Sequence, residues 1–457
     1  MRVARFNTRS APAEPFSVTP AHAPSEATTV ANRSFPSSGS GRGLGAIVRT
    51  VFSFETLLVL FLYSNNVKIL LPALPVDETV VLFAVNVPFF LYLLWRDGLP
   101  RHALPVLGVA LLFFGWMTLG LFWTPSRTQA IRVVGYNLVF NLYALAAVSL
   151  VVVTRRSRLR RFFVWVVVVG LFLAGNGLWI WATAKSFRFY GDFARHRIYL
   201  AWGYPAAAAA AVILATGLRM PFFSWRQLVS LLLLGVLVLF LLISTGRGPL
   251  LAFVASALVP LLAFEPVLRR GGLGISRIQI LTILVFLVGT FYVAYALVEG
   301  QLSDTLARLM VAFTDITGDA AYRRFHRLNY WRQALYYWEK APWFGHGPAS
   351  FSLLYIGYEE SGTHPHNILL EIAVDYGLLG IVLFGALLYV AIKGFRVERF
   401  RRDPDYLCVW MVFAGMAVAA MVSVDLASQA SLFAAIGLLT LPETESNPAR
   451  GGARVVR

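Results

Sequence analysis

Residues 227–244 read QLVSLLLLGVLVLFLLIS, an uncharged run bounded by Arg226 on one side and Arg247 on the other. As an α-helix it would be about 27 Å long, close to the roughly 30 Å of bilayer hydrocarbon. Eleven more runs of this kind are spaced along the chain, at about 46–63, 80–95, 103–123, 131–153, 162–183, 199–217, 248–264, 279–298, 377–393, 407–424 and 427–441. The last is the shortest case and carries Ser428 and Ser431. The whole chain agrees with its runs. Of 457 residues, 58% are hydrophobic and only 14% charged, where soluble domains are about one quarter charged. An ordinary soluble enzyme is excluded, and an all-α polytopic membrane protein with about 12 transmembrane helices is expected.

The net charge of +17, from 40 Lys and Arg against 23 Asp and Glu, could suit nucleic acid or a membrane. The basic residues decide by position, because they flank apolar runs in alternation, so no nucleic-acid partner is expected. With the N-terminus on the cytoplasmic side, 26 of the 40 fall inside, including the runs Arg155–Arg161 and Lys393–Arg402. The positive-inside rule then puts both termini in the cytoplasm. The chain divides into a disordered basic tail at 1–43, nine spans over 44–298, a long non-cytoplasmic loop at 299–365, three spans over 366–441 and a cytoplasmic tail at 442–457. The tail at 1–43 is too poor in apolar residues to offset its ordering entropy, and no signal-peptide core follows a basic start. The loop is expected to be helical, with Leu328, Trp331, Leu335 and Trp338 on one face, followed by a turn at 342–348. A secondary transporter is the poorest fit, since neither an internal repeat nor many charges within spans are found. The single Cys408 excludes an internal disulfide and any CxxC pair.

Chemistry concentrates on the non-cytoplasmic side. Five of the seven histidines fall there: His196, His326, His346, His364 and His366. None has the spacing of a zinc motif, and no metal or cofactor is expected. Each alone reads as a solvated interfacial side chain. Thr363-His364-Pro365-His366-Asn367 differs because it opens the tenth span, with Thr363 as expected cap and Pro365 in the first turn. A histidine at that positive helix end is disfavoured as imidazolium, and neutral imidazole can act as a general base. Arg195 and Arg197 precede span six, and Arg247 precedes span eight in Ser244-Thr-Gly-Arg247-Gly-Pro249. Three helix N-termini thus face one side with Arg or His, a pattern suited to phosphate. Headgroup anchoring of each arginine is the plainer alternative. Arg323, Arg324 and Arg327 either join this set or pair with Asp315 and Asp319 on a solvated helix. Asn367, Glu371 and Asp375 share a face at four-residue spacing and either orient His366 or hold the loop. Asp403-Pro-Asp405 lies beside basic residues on the cytoplasmic side and reads as a loop turn, while Glu55 and Asp425 find no place.

Arg327…Trp331…Ala334, then Pro342-Trp-Phe-Gly345-His-Gly347, Phe351, His366-Asn367-Ile-Leu-Leu370-Glu371 and Tyr376-Gly377-Leu-Leu-Gly380 together resemble the signature of the O-antigen ligase/polymerase superfamily. Arg197 with Pro205, and Ser244-Thr-Gly-Arg247-Gly with one inserted residue, resemble its upstream elements. The resemblance covers roughly 45–440. It implies a GT-C-like membrane fold and a metal-independent, inverting glycosyltransferase of the bacterial inner membrane, acting at the periplasmic face. An O-antigen ligase moves glycan from undecaprenyl pyrophosphate to a lipid A–core sugar. By the same resemblance His366 is the base, with His364 competing for that role. Arg197 and Arg247 hold the pyrophosphate, with Arg195 and Asn367 nearby and one of Arg323, Arg324 or Arg327 contributing from the loop. Membrane lipids surround the whole. The O-antigen polymerase shares these residues and differs in acceptor, and a protein O-oligosaccharyltransferase is a third member. Overall length, one dominant loop and surplus periplasmic arginine favour the ligase.

Overall fold

The computed structural model describes residues 51–70, 77–184, 198–218, 220, 224–244, 247–262, 267–269, 272–274, 326–360, 362–423 and 425–443. The expected tail at 1–43, the expected span at 279–298 and the first part of the loop lie outside them. In order the helices are α1 (Phe54–Leu62), α2 (Glu78–Asp97), α3 (Leu104–Leu119), α4 (Arg127–Val152), α5 (Arg156–Ala184), α6 (Ile198–Gly217), α7 (Trp225–Ile243), α8 (Arg247–Leu262), α9 (His326–Lys340), α10 (Ser350–Ile356), α11 (Ile368–Ile392), α12 (Val397–Arg402), α13 (Pro404–Val422) and α14 (Ala430–Leu438). One antiparallel pair of three-residue strands, Val267–Arg269 and Gly272–Gly274, is the sole departure from helix among the described elements. Eight helices among the described residues are long and apolar enough to cross a membrane. The chain is a multi-pass membrane protein. Helices also stand at the expected first, eighth and last spans, but α1 and α14 have nine residues each and α8 sixteen. They fall short of the expected lengths.

Burial separates central from peripheral helices. The apolar window of α6 is 78% buried, that of α2 only 22% and that of α7 28%, so α6 is the hub and the others present Leu and Val outward. The hub is possible because Ala206–Ala211 keep α6 thin. Small residues let backbones approach where hydrophobic expulsion from water cannot drive helices together. At Gly170 in α5, a Cβ would lie 2.4 Å from that of Ala209 and 2.8 Å from the Pro205 carbonyl oxygen. Pro205 cannot donate to the Ala201 carbonyl one turn earlier. Asn66 takes over, its Nδ2 donating to Ala201, while Trp202 Nε1 donates back to the Asn66 carbonyl at 2.9 Å. The proline's orphan is thereby satisfied inside protein, as an apolar bilayer requires.

One end of the bundle is a charge cluster. Asp97 accepts from Arg155 at 2.9 Å and Arg158 at 2.5 Å. Arg156 forks onto Asp403 at 3.0 and 2.7 Å, and Arg399 adds a contact at 3.1 Å. Arg161 reaches both oxygens of Glu55 at 3.1 Å, and Arg160 reaches Asp405. Glu55 therefore has a place, as partner of the arginine run. Asp403 is not a simple loop turn: its carboxylate caps α13 by accepting from the Tyr406 amide at 3.2 Å.

The other end carries the loop elements. Asp97 and Asp403 bind one turn of arginines, so the chain segments leading into α3 and α13 start at one level. From Arg101 to Gly120, and from Asp403 to Met421, each runs about 27–29 Å of helix. The first segment of α11, Ile368–Tyr376, joins the two far ends. Asn367 Nδ2 donates to the Met421 carbonyl, and the Tyr376 ring lies against Gly120. About 13 Å long, this segment runs across the end of the bundle. Arg327 at the start of α9 bonds the Val422 carbonyl, and Pro342 just beyond its end bonds Leu378. So α9 lies parallel on that segment. Its packed face is Tyr330, Ala334 and Tyr337 with Trp338, not the expected Leu328–Trp331–Leu335 stripe. Leu328 and Leu335 are both more than 40% exposed. The loop helix packs on α11 and α10 through aromatic rings, and its aliphatic residues point away.

Candidate active site

The geometry of this end depends on a break in α11. Gly377 has φ 66° and ψ −164°, outside helical values. The helix would otherwise pair the carbonyls of Val374, Asp375 and Tyr376 with the next turn. Instead the His346 and Gly347 amides donate to Val374 and Asp375, both at 2.8 Å, and Trp116 Nε1 donates to Tyr376 at 3.1 Å. The freed amides of Leu378 and Leu379 donate to the Pro342 and Trp343 carbonyls at 2.7 and 3.2 Å. The 342–347 turn and the Trp116 indole thus take over the missing helical bonds. A Cβ on Gly345 would lie 2.5 Å from the Asp375 carbonyl, and one on Gly377 2.4 Å from the Trp343 oxygen. The two glycine motifs seen in the sequence are the two halves of one backbone joint.

Asp375 and Glu371 each fix a neighbouring segment by its backbone amides. Asp375 accepts from the Ala349 and Ser350 amides at 2.9 and 3.3 Å and from Ser350 Oγ at 2.8 Å, fixing the start of α10. Glu371 accepts from the Leu426 amide at 2.9 Å. Of the two roles the spacing left open, Asp375 holds the loop, while Glu371 holds the connection between α13 and α14. His346 is likewise structural, its ring nitrogen 2.8 Å from the Tyr337 carbonyl.

His364 and His366 stand at the head of α11, ring centroids 4.0 Å apart and planes at 57°. Both residues are half-buried, and the Tyr330 ring centroid lies 5.8 Å from that of His366. The cap is Asn367, not Thr363. Asn367 Oδ1 accepts from the Leu369 and Leu370 amides at 3.0 and 3.1 Å, while Thr363 donates to Glu360. Pro365 accordingly precedes the helix and is not in its first turn. It restricts His364 to extended backbone, and His366 then reverses the chain in the left-handed region at φ 55°. Such a conformation is uncommon outside glycine, and where it occurs it often marks a functional site.

Other elements converge here. Helix α8 begins at Arg247, with Pro249 in its first turn as expected. A Cβ on Gly248 would lie 2.3 Å from the Tyr204 hydroxyl and 3.7 Å from Ser423 Cβ, the residue after Val422. The N-termini of α8 and α11 therefore meet at the far end of α13. The last carbonyls of α13 would make that end negative, but Arg327 takes Val422 at 2.6 Å and Asn367 takes Met421 at 3.2 Å. Those bonds cover the carbonyl end of α13 where it meets the positive ends of α8 and α11. Arg327 is thus tied by one donor to the bundle and keeps others in its fork. Arg195 and Arg197 lie outside the described residues, as do Arg323 and Arg324. Arg197 directly precedes the first residue of α6.

Residues 228–385 match the family described as O-antigen ligase. That match supports membership of the O-antigen ligase superfamily. The matched stretch takes in most of α7, then α8, the loop elements and α11 as far as Gly385, hence both helix N-termini and the joint between turn and broken helix. No curated protein matches the chain. Sequence reasoning about the ligase-family motifs missed Trp116, whose indole serves the broken helix from 260 residues away, and the α13 carbonyls. Neither carries a local signal. The Asn367 cap did carry one, since Asn ranks above Thr at that position.

Proposed function

We propose that the protein is an O-antigen ligase: a metal-independent, inverting glycosyltransferase moving glycan from undecaprenyl pyrophosphate to a lipid A–core sugar at the periplasmic face of the inner membrane. The observation that carries the reading is the meeting of the His366 loop with the Arg247-bearing N-terminus of α8, beside α13, within a family-matched stretch. His366 accepts the proton of the acceptor hydroxyl. That oxygen attacks the anomeric carbon from the side opposite the pyrophosphate, the glycosidic C–O bond to phosphate breaks, and the configuration inverts. The leaving group carries its charge as undecaprenyl pyrophosphate. Arg247 and Arg197, with the helix N-termini, stabilise that charge without a metal. His364 supports His366, and Arg195, Asn367 and the loop arginines Arg323, Arg324 and Arg327 line the substrate.

The test is transfer by purified protein from glycan-charged undecaprenyl pyrophosphate in EDTA, with and without lipid A–core. Glycan on lipid A–core, with no growth of the carrier-bound chain, is the expected result. Chain growth without the core acceptor would instead make the protein a polymerase. Activity lost in EDTA and restored by a divalent ion would overturn the metal-free mechanism.

A further inference from the structure

Three aromatic rings, Trp116, Trp123 and Phe344, meet beside the break in α11, and Phe122 and Trp343 adjoin them along the chain. Trp343 and Phe344, in the turn that fills the break, are 66% and 60% exposed, and Phe122 at the end of α3 is 86% exposed. The Trp116 ring links the two groups, with centroids 5.7 Å from Phe344 and 5.3 Å from Trp123. An exposed aromatic cluster in water would be a liability. Here it continues the outward apolar surface of α3, where Leu111, Leu112 and Leu119 are at least half exposed. It also lies about 28 Å from the arginine-bound end, near the thickness of bilayer hydrocarbon. Beyond the cluster the surface turns polar, with Arg127 and Thr128 exposed.

We propose that Trp116, Phe122, Trp123, Trp343 and Phe344 form an anchor seated in the phospholipid headgroup boundary, which fixes the joint between turn and broken helix at the membrane surface. Indole and phenyl rings favour that boundary because one side meets acyl chains and the other meets water. The joint is firmly held, since Val374, Asp375, Leu378 and Leu379 are bonded to the turn and the Tyr376 carbonyl to Trp116. Seating the turn therefore also sets the level of Ile368–Tyr376 and of the histidine pair at its head. The headgroup layer becomes the level at which a membrane-borne substrate is met. This inference rests on the multi-pass reading alone and not on the transferase reading.

The single Cys408 can be replaced by Ala, and Phe344→Cys, Phe122→Cys and Glu339→Cys can be introduced one at a time and nitroxide-labelled. The full-length proteins are placed in nanodiscs of phosphatidylcholine and phosphatidylglycerol. Power saturation with oxygen and with a nickel chelate then reports depth against spin-labelled lipids. The expected result is one shared shallow depth for labels at 344 and 122, just inside the phosphate plane, with the label at 339 in water. A label at 344 as open to nickel as that at 339 would overturn the proposal. So would one screened from both reagents, which would mean a second copy of the chain covers the patch. No substrate is used, so a failed transfer assay and a failed anchor are told apart.

Discussion

At the scale of the residue, His366 combines an unusual backbone with the proposed chemistry, and the two can be separated. A left-handed conformation costs an L-residue about 1–2 kcal/mol, a penalty that glycine escapes. Glycine loses about 0.5–1 kcal/mol through the greater entropy of the unfolded chain. The two effects oppose each other, so His366→Gly is expected to leave the thermal midpoint nearly unchanged. Removing a general base should slow transfer about a hundredfold or more. Measured together by thermal unfolding and the transfer assay, these outcomes distinguish a base from a strained structural residue. Full transfer by His366→Gly, with loss in His364→Ala, would move the role to His364. Asn367 teaches a related lesson. The sequence offers Thr363, Asn367 and two histidines within five residues, and only the path of the chain around Pro365 selects Asn367 as cap.

At the scale of the element, the joint between the 342–347 turn and α11 is the most specific contact in the loop. Gly377→Ala would place a methyl group 2.4 Å from the Trp343 carbonyl and strain a φ of 66°. Backbone cannot yield there as a flexible side chain would. A loss of about 1–3 kcal/mol is expected from the overpacking, seen as a lower thermal midpoint and faster proteolysis within 341–349. Gly385→Ala, on the same helix with open space around it, should neither lower the midpoint nor speed that cleavage. Equal effects of the two substitutions would mean that the joint is not what holds the turn. The positions of both motifs were legible in the sequence, as P-x-x-G-x-G and Y-G-L-L-G. That they are complementary halves was not, because backbone bonds between Pro342 and Leu378 or His346 and Val374 leave no side-chain signature.

At the scale of the whole molecule, the charge cluster ties α2, α5 and α13 together at one end. Burial alone would raise the pKa of the Asp403 carboxyl, but its bonds to Arg156, the Tyr406 amide and the Arg399 charge outweigh this and hold it below its ordinary 3.8. A group with a depressed folded pKa stabilises the fold above its unfolded value and loses that contribution as pH falls through the folded one. The protein should therefore lose stability as pH drops below about 4. Asp403→Asn keeps a good helix cap while removing the ion pair. It should lower the midpoint at neutral pH and flatten the acid dependence of thermal unfolding in detergent micelles. An unchanged slope between pH 5 and 3 would show that Asp403 does not carry this dependence.

The division of labour between sequence and tertiary structure follows from range. Run length and composition alone determined that the chain is a helical, multi-pass membrane protein, because the bilayer imposes its thickness on every span regardless of neighbours. Motif spacing likewise marked His366, Arg247 and the glycine turns as residues to watch. What the tertiary structure decided is which of these meet. Arg247 and His366 are 119 positions apart and are drawn to one end only by the packing of α8 on α13 and the bond from Asn367 to Met421. The partner of Glu55, the break in α11 and the packed face of α9 depend in the same way on surfaces supplied by distant helices. Hydrogen bonds and close packing act over a few ångströms in space, and distance along the chain does not encode them.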